Sequence, residues 1–249
     1  WTPTVGDSWN YNLETPVKVN VDVDVVFMDM DDNKSQRRIN QLHKRGKAAV
    51  CYISIGSWEE WRDDAAEFPD SAIGNALDGW PDEKWLDVTN SKVQDIMAAR
   101  VAQAASMDCD GVEPDNMSVF FEEDTGVDVS EEDLIAYNTW FAGIVHAAGM
   151  KVGLKNTVEL VPTLADSFDF AINEECFEYN ECNEYVKWFL DQGKPVFNVE
   201  YVNNLDMCDE ANALGMDTIV KNYDVDRFFC SCSDPSRSFK CTNKILNKD

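Results

Sequence analysis

Two carboxylates two residues apart, Glu113 and Asp115, are the residues of this sequence best placed to do chemistry. They follow a short apolar stretch and flank Pro114. Residues i and i+2 of a strand point to the same face, so both acids should project from one side of a strand. Pro114 disfavours an interior ladder position and places the acids at a strand end. Crowded carboxylates favour acid–base catalysis, because like charges push their pKa values apart. A solvated turn and an acidic metal ligand set are the alternatives.

The elements that must position these acids are strands alternating with helices or loops. Apolar segments predict eight strands, starting near residues 25, 48, 85, 111, 151, 170, 195 and 218. Strict alternation implies a parallel sheet with right-handed crossovers. Eight such units in 249 residues predict an α/β fold, a (β/α)8 TIM barrel. An open doubly wound sheet is the runner-up, but no glycine-rich phosphate loop follows the first strand.

The composition shows no break that would divide the chain. We therefore expect one catalytic domain over residues 1–249, with a cysteine-rich C-terminal tail at about 227–249. The segment 58–85 is rich in Trp, Asp, Pro and Gly and is longer than a plain connection. Its four tryptophans favour an ordered segment over a disordered one.

The charge balance restricts the partners. Forty-seven acidic residues against 21 basic ones give a net charge of −26. Such a surface argues against nucleic acid as a partner, since phosphate binding needs basic groups, and disfavours anionic membranes. No apolar run approaches the roughly 18 residues of a membrane span. The charge suits a cationic ligand through long-range steering, and a surface kept acidic for solubility is the alternative.

The cysteines indicate disulfides rather than a metal site. Eight cysteines contain no Cys-x-x-Cys pair, and only two histidines are present, so zinc is poorly supported. Disulfides imply an oxidising compartment and a secreted protein; a first residue of Trp1 suits a processed N-terminus. The simplest pairs are Cys176 with Cys182, and Cys208 with a cysteine of the tail. Cys51 and Cys109 either pair or remain buried thiols.

Polar residues are concentrated where the predicted strands end. Barrels of this class carry their chemistry at the C-terminal ends of the strands. These positions hold carboxylates, two lysines and several amides: Asp29, Ser54, Asp87, Glu113, Asp115, Lys155, Asn156, Asn173, Glu174, Glu175, Glu200, Tyr201 and Lys221. That density predicts a functional rim.

Elimination leaves a reaction that uses paired carboxylates. His43 and His146 lie in predicted helices, so no histidine is positioned for a Ser-His-Asp hydrolase. A phosphate-binding loop is absent from the sequence, and histidine ligands are too few for a metal-dependent deacetylase. Glycosidic hydrolysis needs one protonated acid and one ionised carboxylate. Candidates for stacking on sugar rings, each with core or loop packing as its alternative, are Trp9, Tyr52, Trp58, Trp61 and Trp80.

Several short motifs carry a family resemblance. They are Trp9-Asn-Tyr-Asn-Leu13, Ser54-Ile-Gly-Ser-Trp-Glu59, Gly79-Trp-Pro81 with Trp85-Leu-Asp87, Gly111-Val-Glu-Pro-Asp-Asn116, Gly153-Leu-Lys-Asn156 and Asn173-Glu-Glu-Cys-Phe-Glu-Tyr179. Together they resemble glycoside hydrolase family 114, endo-α-1,4-polygalactosaminidases with a barrel fold. The resemblance runs from Trp9 to about Tyr201 and does not extend into the tail.

The resemblance implies that the catalytic pair is Asp115 and Glu174. One departure is Glu175, where the family is expected to have Gln, so a second candidate acid adjoins the first. Strand alternation conflicts mildly with the motif. If Phe170 and Ile172 face the helices, then Glu175 rather than Glu174 points inward. The motif favours Glu174, which a bulge or the strand end would turn inward.

The implied activity is endo-hydrolysis of an α-1,4-linked, galactosamine-containing polysaccharide, cationic or partly acetylated. Asp115 is expected as nucleophile or base and Glu174 as proton donor. A separation of about 5–5.5 Å predicts retention of configuration, and about 6.5–9.5 Å inversion. The expected substrate-binding residues are Asp29, Tyr52, Ser54, Trp58, Glu113, Asn116, Lys155, Asn156, Asn173, Glu175, Glu200 and Tyr201.

Within that set, Glu113, Asp29 and Glu200 are expected to hold the sugar or its ammonium group. Lys155 is expected to bind hydroxyl groups or tune a carboxylate, with a buried salt bridge as its alternative. We expect no metal, no cofactor, and a secreted monomer. The competing hypotheses are a glycosidase of another specificity, a non-catalytic carbohydrate-binding barrel, and a metal-dependent carbohydrate esterase.

Two sequons match the N-glycosylation pattern, Asn33-Lys-Ser35 and Asn116-Met-Ser118. The first falls in a predicted surface loop. Asn116 adjoins the expected site, where a glycan would block the mouth, so we expect it to be bare.

Overall fold

The computed structural model describes residues 1–14, 16–31, 36–202 and 204–234. Its strands are β1 (Trp9–Tyr11), β2 (Val25–Asp29), β3 (Ala48–Ser54), β4 (Ser57–Glu59), β5 (Ile73–Leu77), β6 (Trp80–Leu86), β7 (Gly111–Asp115), β8 (Lys151–Lys155), β9 (Phe170–Glu174), β10 (Val196–Glu200), β11 (Asp217–Val220) and β12 (Cys230–Ser231). Its α-helices are α1 (Gln36–His43), α2 (Ser91–Ser106), α3 (Glu131–Ala147), α4 (Val161–Leu164), α5 (Cys182–Trp188) and α6 (Cys208–Leu214).

The main sheet has the strand order β1-β2-β3-β7-β8-β9-β10-β11-β12. Its pairs are parallel from β1 to β11, and β12 adds an antiparallel edge. Near the two ends of this order, the Trp9 indole Nε1 donates to the carbonyl of Asp217 at 2.9 Å. The backbone N–H of Leu13 donates to the carbonyl of Val225 at 3.0 Å. The predicted TIM-barrel fold is confirmed, with eight parallel strands in the described residues.

One of the eight predicted strand positions was wrong, and one barrel strand was not predicted. The segment near residue 85 is not a barrel strand, because β6 pairs antiparallel with β4 and β5 in a separate three-stranded sheet. We call residues 57–86, which contain this sheet, the insertion. The first barrel strand is instead Trp9–Tyr11, which pairs with β2. Three buried residues are too short a run for periodicity to reveal a strand.

An aromatic layer fills the barrel interior. Trp9, Phe27, Phe170 and Phe197 come from four strands, and their ring centroids lie 5.0 to 6.0 Å apart. Gly153 makes room for this layer, since a Cβ there would lie 2.4 Å from a ring carbon of Phe170. Large rings on four strands and a glycine on another give the interlocked packing that a closed barrel needs.

Local signals in the sequence position the helices. The Asn90 side chain accepts from the backbone N–H of Lys92 and caps α2. Ser130 and Asp133 form a capping box at the start of α3. Helix α1 spans Gln36–His43 and buries Ile39 and Leu42. Within the described ranges, no helix is both long and apolar enough to cross a membrane.

Three disulfides join Cys51 to Cys109, Cys176 to Cys182, and Cys208 to Cys232. The last two confirm the predicted pairs, and the first resolves the alternative for Cys51 and Cys109 in favour of a bond. Cys230 is also disulfide-bonded. Most of the predicted tail, including Cys241, lies outside the described residues. The Cys51–Cys109 bond ties β3 to the residues just before β7, the adjacent strand.

Candidate active site

A cavity of about 980 Å³ opens where the barrel strands end. Side chains from the strand ends and from the insertion form its wall. Several predicted site residues line it: Asp29, Tyr52, Asp115, Asn116, Lys155, Asn156, Glu174, Glu175 and Tyr201. The C-terminal rim therefore brings these nine residues together, whereas Asp87 and Lys221, also predicted at strand ends, do not line the cavity.

Lys155 lies at the centre of the polar layer above the aromatic layer. Its Nζ is 2.9 Å from Glu113 Oε1, 3.3 Å from Asp115 Oδ1 and 3.4 Å from Glu174 Oε2. It also donates to the hydroxyl of Tyr11 at 3.0 Å. Both Lys155 and Glu113 are fully buried. One ammonium group thus holds three carboxylates, including both members of the predicted catalytic pair.

The charges of this cluster follow from burial and proximity. Although burial alone would lower it, the pKa of Lys155 lies well above its usual value because Asp115, Glu113 and Glu174 surround the amine. Burial raises the pKa of Glu113 to about 7, against the opposing effect of Lys155. Desolvation, with nearby carboxylates, also raises the pKa of Tyr11. The lysine therefore stays cationic at neutral pH.

Glu174 projects into the cavity, and its carboxylate accepts two hydrogen bonds. Its Oε1 accepts from the Tyr201 hydroxyl at 2.5 Å, and its Oε2 accepts from Asn156 Nδ2 at 3.0 Å. Its backbone N–H donates to Asn156 Oδ1 at 2.8 Å, which fixes the end of β9 against the end of β8. With Lys155, these contacts orient the carboxylate toward Asp115.

The assumption that Phe170 faces the helices, which made the orientation of Glu174 uncertain, was wrong. Phe170 packs in the interior aromatic layer and not against the helices, so Glu174, four residues on, points inward without a bulge. Asn173 accepts from the backbone N–H of Cys176 on the other face. Glu175 follows the strand with a φ of 64° and still lines the cavity, where its Oε1 accepts from the Tyr223 hydroxyl at 3.2 Å.

Asp115 is held by the neighbouring strand. Its Oδ2 accepts from the Tyr52 hydroxyl at 2.8 Å, although Tyr52 lies opposite Glu113 and Ser54 lies opposite Asp115 in the pairing of β3 with β7. Glu113 and Asp115 both reach Lys155, so the two residues project from the same face of β7 as expected. The pKa of Tyr52 is raised by burial and by Asp115, which keeps the hydroxyl protonated and donating.

The turn after Asp115 is packed tightly against the turn after β3. Asn116 Nδ2 donates to Ser54 Oγ at 2.9 Å and to Ser57 Oγ at 3.1 Å. A Cβ at Gly56 would lie 1.8 Å from the carbonyl oxygen of Asn116, so glycine is required by close approach. The amide nitrogen that a glycan would need is already engaged within the fold. Asn33, the other predicted glycosylation site, lies outside the described residues.

The insertion adds a second charged cluster to the wall. Arg62 donates to both oxygens of Asp29, at 2.8 and 2.9 Å, and to both oxygens of Glu59, at 2.8 and 2.6 Å. All three residues are buried. Arg100 from α2 comes within 3.8 Å of Glu59 and donates to the carbonyl of Ser54 at 2.9 Å. These arginines anchor the insertion to the barrel.

Five predicted binding residues lie outside the cavity lining. Glu113 is beneath it, paired with Lys155, and the Trp58 indole donates to the carbonyl of Ala65. Ser54 is buried in the turn described above. Asn173 and Glu200 both accept from Asn198 on the outer face of the sheet, where Glu200 also accepts from the backbone N–H of Phe177. Each of these five residues therefore contacts other parts of the protein and does not face the cavity.

Sequence reasoning missed several residues that line the cavity. Tyr11, Arg62, Glu83 and Tyr223 all do so. Tyr11 sits at the end of a strand too short to predict, and Arg62 and Glu83 belong to the insertion, which has no strand pattern pointing at the barrel. Of the aromatic candidates, Trp61 and Trp80 do line the cavity, whereas Trp9 is in the core.

The arrangement suits chemistry by paired carboxylates. The Lys155 contacts limit the separation of Asp115 Oδ1 and Glu174 Oε2 to at most about 6.7 Å, the sum of their two distances. Among the described residues, no group of three or more His, Cys, Asp or Glu is arranged to hold a metal ion.

Comparison with known proteins places this arrangement in a family. The sequence profile of glycoside-hydrolase family GH114 matches residues 1–237. The crystal structure of Aspergillus fumigatus Ega3 in complex with galactosamine is similar over 93% of this chain and 97% of that chain, with 34% identity and a TM-score of 0.87. A search of curated protein sequences found no match.

More distant structures share the fold. The glycoside hydrolase domain of PelA from Pseudomonas aeruginosa is 15% identical, with a TM-score of 0.67 over 90% of this chain and 97% of that one. A Paenibacillus cycloisomaltooligosaccharide glucanotransferase is 13% identical, with a TM-score of 0.55 over 80% of this chain and 38% of that one. The profile match over most of the chain and the 34% identity to Ega3 show that this chain belongs to glycoside-hydrolase family GH114 and is a glycoside hydrolase.

Proposed function

We propose that this chain is an extracellular, endo-acting enzyme that cleaves an α-1,4-linked, galactosamine-containing polysaccharide with Asp115 and Glu174. The observation that carries the proposal is the meeting of both carboxylates at one cavity wall, in contact with the same Lys155 Nζ. The similarity to Ega3, whose structure contains galactosamine, supports an amino sugar as the ligand.

The spacing of the pair supports a retaining mechanism. The two carboxylate oxygens that contact Lys155 lie at most about 6.7 Å apart, which is compatible with the separation of about 5–5.5 Å in retaining enzymes. Asp115 attacks the anomeric carbon while Glu174 transfers its proton to the glycosidic oxygen. The bond between the anomeric carbon and that oxygen breaks. Glu174 then takes a proton from water, which attacks the same carbon and frees Asp115. The configuration is restored by two inversions.

The shape of the cavity supports cleavage within a chain. Its volume of about 980 Å³ is at the upper end of pockets that enclose one small ligand, about 300–1,000 Å³. Exposed rings line it on two sides. Trp61 and Trp80, at 50% and 58% exposure, come from the insertion, whereas Tyr179 and Tyr223, at 64% and 50%, follow β9 and β11. A polysaccharide that contacts both groups passes over the catalytic pair.

Charge supports a cationic substrate. The chain has a net charge of −26, and amino groups of deacetylated galactosamine are protonated near neutral pH. Carboxylates of the cavity wall add a local attraction to this long-range field. The disulfides support an oxidising, extracellular location. We propose that the enzyme acts there as a monomer.

The first test is product analysis by mass spectrometry after incubation with partly deacetylated α-1,4-polygalactosamine. We expect a ladder of internal fragments that each gain one water. Release of acetate without chain cleavage, blocked by a chelator, would instead identify a carbohydrate esterase. Binding without any product would support a non-catalytic carbohydrate-binding barrel.

Matched variants test the roles of the two acids. Asp115→Asn and Glu174→Gln should each lower kcat on the polysaccharide by about 10³-fold or more while the chain still binds. On an oligosaccharide with an activated aryl leaving group, which needs no proton, Glu174→Gln should recover far more activity than Asp115→Asn. Equal defects on the aryl substrate would contradict Glu174 as the proton donor.

A further inference from the structure

Glu83 is a buried carboxylate of the insertion for which the proposed mechanism has no use. It lines the cavity, yet only 8% of the residue is exposed. Its Oε2 accepts from the Ser57 hydroxyl at 2.7 Å. In the part of the chain that the structure describes, neither oxygen has a cationic partner within 4.0 Å, and Oε1 has no hydrogen-bond donor.

The other buried carboxylates of the cavity wall are neutralised. Asp29 and Glu59 share the guanidinium of Arg62. Glu59 is also the residue opposite Glu83 in the pairing of β4 with β6. Glu59 and Glu83 therefore lie opposite each other in one sheet but differ in their partners. Glu59 contacts arginine, whereas Glu83 faces the cavity. A buried carboxylate without a cation is costly, which points to a cation supplied from outside.

Glu83 is held in a fixed position relative to Asp115. The Ser57 hydroxyl that donates to Glu83 itself accepts from Asn116 Nδ2 at 3.1 Å. Asn116 directly follows Asp115, and Gly56 packs against its carbonyl. Two hydrogen bonds and one peptide bond therefore connect the unpaired carboxylate to the predicted nucleophile, so that a group bound at Glu83 lies close to the reacting sugar.

The surroundings of Glu83 favour a cation over a neutral or anionic group. Burial raises the pKa of Glu83 to about 7, and Glu59 and Asp115 add to the rise while Arg62 opposes it. A bound cation would stabilise the ionised form. The exposed rings of Trp61 and Trp80 line the same cavity and offer apolar faces to a sugar ring. An amino sugar presents both a cation and an apolar ring face.

We propose that Glu83 binds the ammonium group of a galactosamine unit beside the cleaved bond and so makes the enzyme prefer deacetylated chain. The inference rests on the proposed function, because it assigns a specificity residue to that same site. An N-acetyl group carries no charge and would leave the carboxylate buried and unpaired, so a chain with that group at this subsite binds less tightly.

The test compares Glu83→Gln with Asp82→Asn. Gln has the shape of Glu and can still accept from Ser57. Asp82 is exposed, is the preceding residue of β6 and is not part of the cavity lining, so Asp82→Asn removes the same charge from outside the cavity. The substrates are α-1,4-linked galactosamine oligosaccharides of one length, either fully deacetylated or fully N-acetylated. The measurement is kcat/KM for each enzyme on each substrate.

Glu83→Gln should lose about 30-fold or more in kcat/KM on the deacetylated substrate and less than about threefold on the acetylated one. Asp82→Asn should change both by less than about twofold. Equal losses on the two substrates would overturn the proposal and indicate a structural or proton-donating role. No loss on either substrate, or wild-type cleavage of the acetylated substrate alone, would also overturn it. Glu83→Asp shortens the side chain and moves the charge back from the cavity. Its ratio of kcat/KM on the two substrates should lie between those of the wild type and Glu83→Gln. This variant tests the proposal if Glu83→Gln does not fold.

A binding measurement separates this proposal from the proposed function. Calorimetry with galactosamine and with N-acetylgalactosamine needs no cleavage. If the wild type cleaves neither substrate but binds galactosamine, and Glu83→Gln does not bind it, then the proposed function fails and the role of Glu83 stands. If the wild type binds the two sugars equally, the role of Glu83 fails whatever the enzyme cleaves.

Discussion

The barrel and the insertion hold buried carboxylates in different ways. On the barrel side, Lys155 contacts Glu113, Asp115 and Glu174, so the proposed catalytic pair has a cation before any ligand arrives. On the insertion side, Glu83 is also buried and has a hydroxyl as its only protein partner in the described ranges. Both regions line one cavity. The cluster around Lys155 is complete, because its carboxylates have a protein cation. The site at Glu83 is incomplete, because within the described residues it has none.

The difference separates chemistry from recognition. Groups that react must keep one geometry, and shared contacts to a buried lysine provide it. A group that recognises a cation must be able to gain that cation from the substrate. The complete cluster should therefore tolerate substitution poorly on every substrate, whereas the incomplete site should affect only substrates that carry the missing charge.

The largest effect is expected for Lys155→Met. Glu113 would remain fully buried without its ion-pair partner, and breaking such a pair costs about 3–5 kcal/mol of the free energy of unfolding. Asp115 and Glu174 would lose their common contact, so kcat should fall by about 10²-fold or more on both substrates. Thermal unfolding and steady-state kinetics measure the two losses.

Arg62→Met is the matched control, since it removes a buried cation from the insertion. It should also destabilise the protein, because Asp29 loses both of its hydrogen bonds from Arg62. Its kcat on acetylated substrate should nevertheless exceed that of Lys155→Met by about tenfold or more, since the contacts of Lys155 remain. Equal kcat values for the two variants would break the distinction between the regions.

A smaller effect is expected for the tyrosines that donate to the pair. Tyr201→Phe deletes the hydrogen bond to Glu174 but keeps the ring that stacks on Tyr223 at 4.7 Å. Tyr52→Phe deletes the corresponding bond to Asp115. A hydrogen bond to a charged group contributes about 1.5–3 kcal/mol, so kcat should fall about tenfold or more in each variant. A change confined to KM would show that these hydroxyls bind substrate and do not orient the acids.

Much of the barrel site could be predicted because its residues stand at the ends of parallel strands. Asp115, Lys155 and Glu174 each end a buried strand, and parallel strands bring such ends to one rim. The face of Glu174 was uncertain only because Phe170 reads equally well as packed against helices or inside a barrel. A large aromatic ring in the interior requires a gap opposite it, and Gly153 is the residue that provides that gap.

The insertion could not be predicted in the same way. Its strands are antiparallel and, within the described residues, pair only with one another, so their positions depend on contacts distant in sequence. Glu59 and Glu83 look alike as single acidic residues in a polar segment. What distinguishes them is which one Arg62 reaches, a property of the folded chain.

The pH dependence of stability should also distinguish the regions. The folded-state pKa of Glu83 is about 7 against an ordinary value of 4.5, so the folded state binds its proton more tightly. Stability contributed by the protonated acid is present below about 4.5 and is lost as pH rises toward about 7. Glu83→Gln should therefore be more stable than wild type at pH 8, by up to roughly 3 kcal/mol, and equal to it near pH 4. Denaturant unfolding at both pH values measures the difference. A deficit at pH 8 would contradict an unpaired carboxylate.

The smallest effect is expected from salt. Raising ionic strength from about 0.05 to 0.5 M shortens the screening length to a few ångströms and should lower kcat/KM on deacetylated substrate severalfold, since it weakens attraction by exposed carboxylates. The acetylated substrate should respond little, and equal responses would eliminate steering. A buried contact is screened far less than exposed charges, so the ratio of wild type to Glu83→Gln on deacetylated substrate should stay constant within about twofold. If that ratio instead falls to one at high salt, Glu83 acts only as part of the diffuse negative field, and the insertion is no more than another acidic surface.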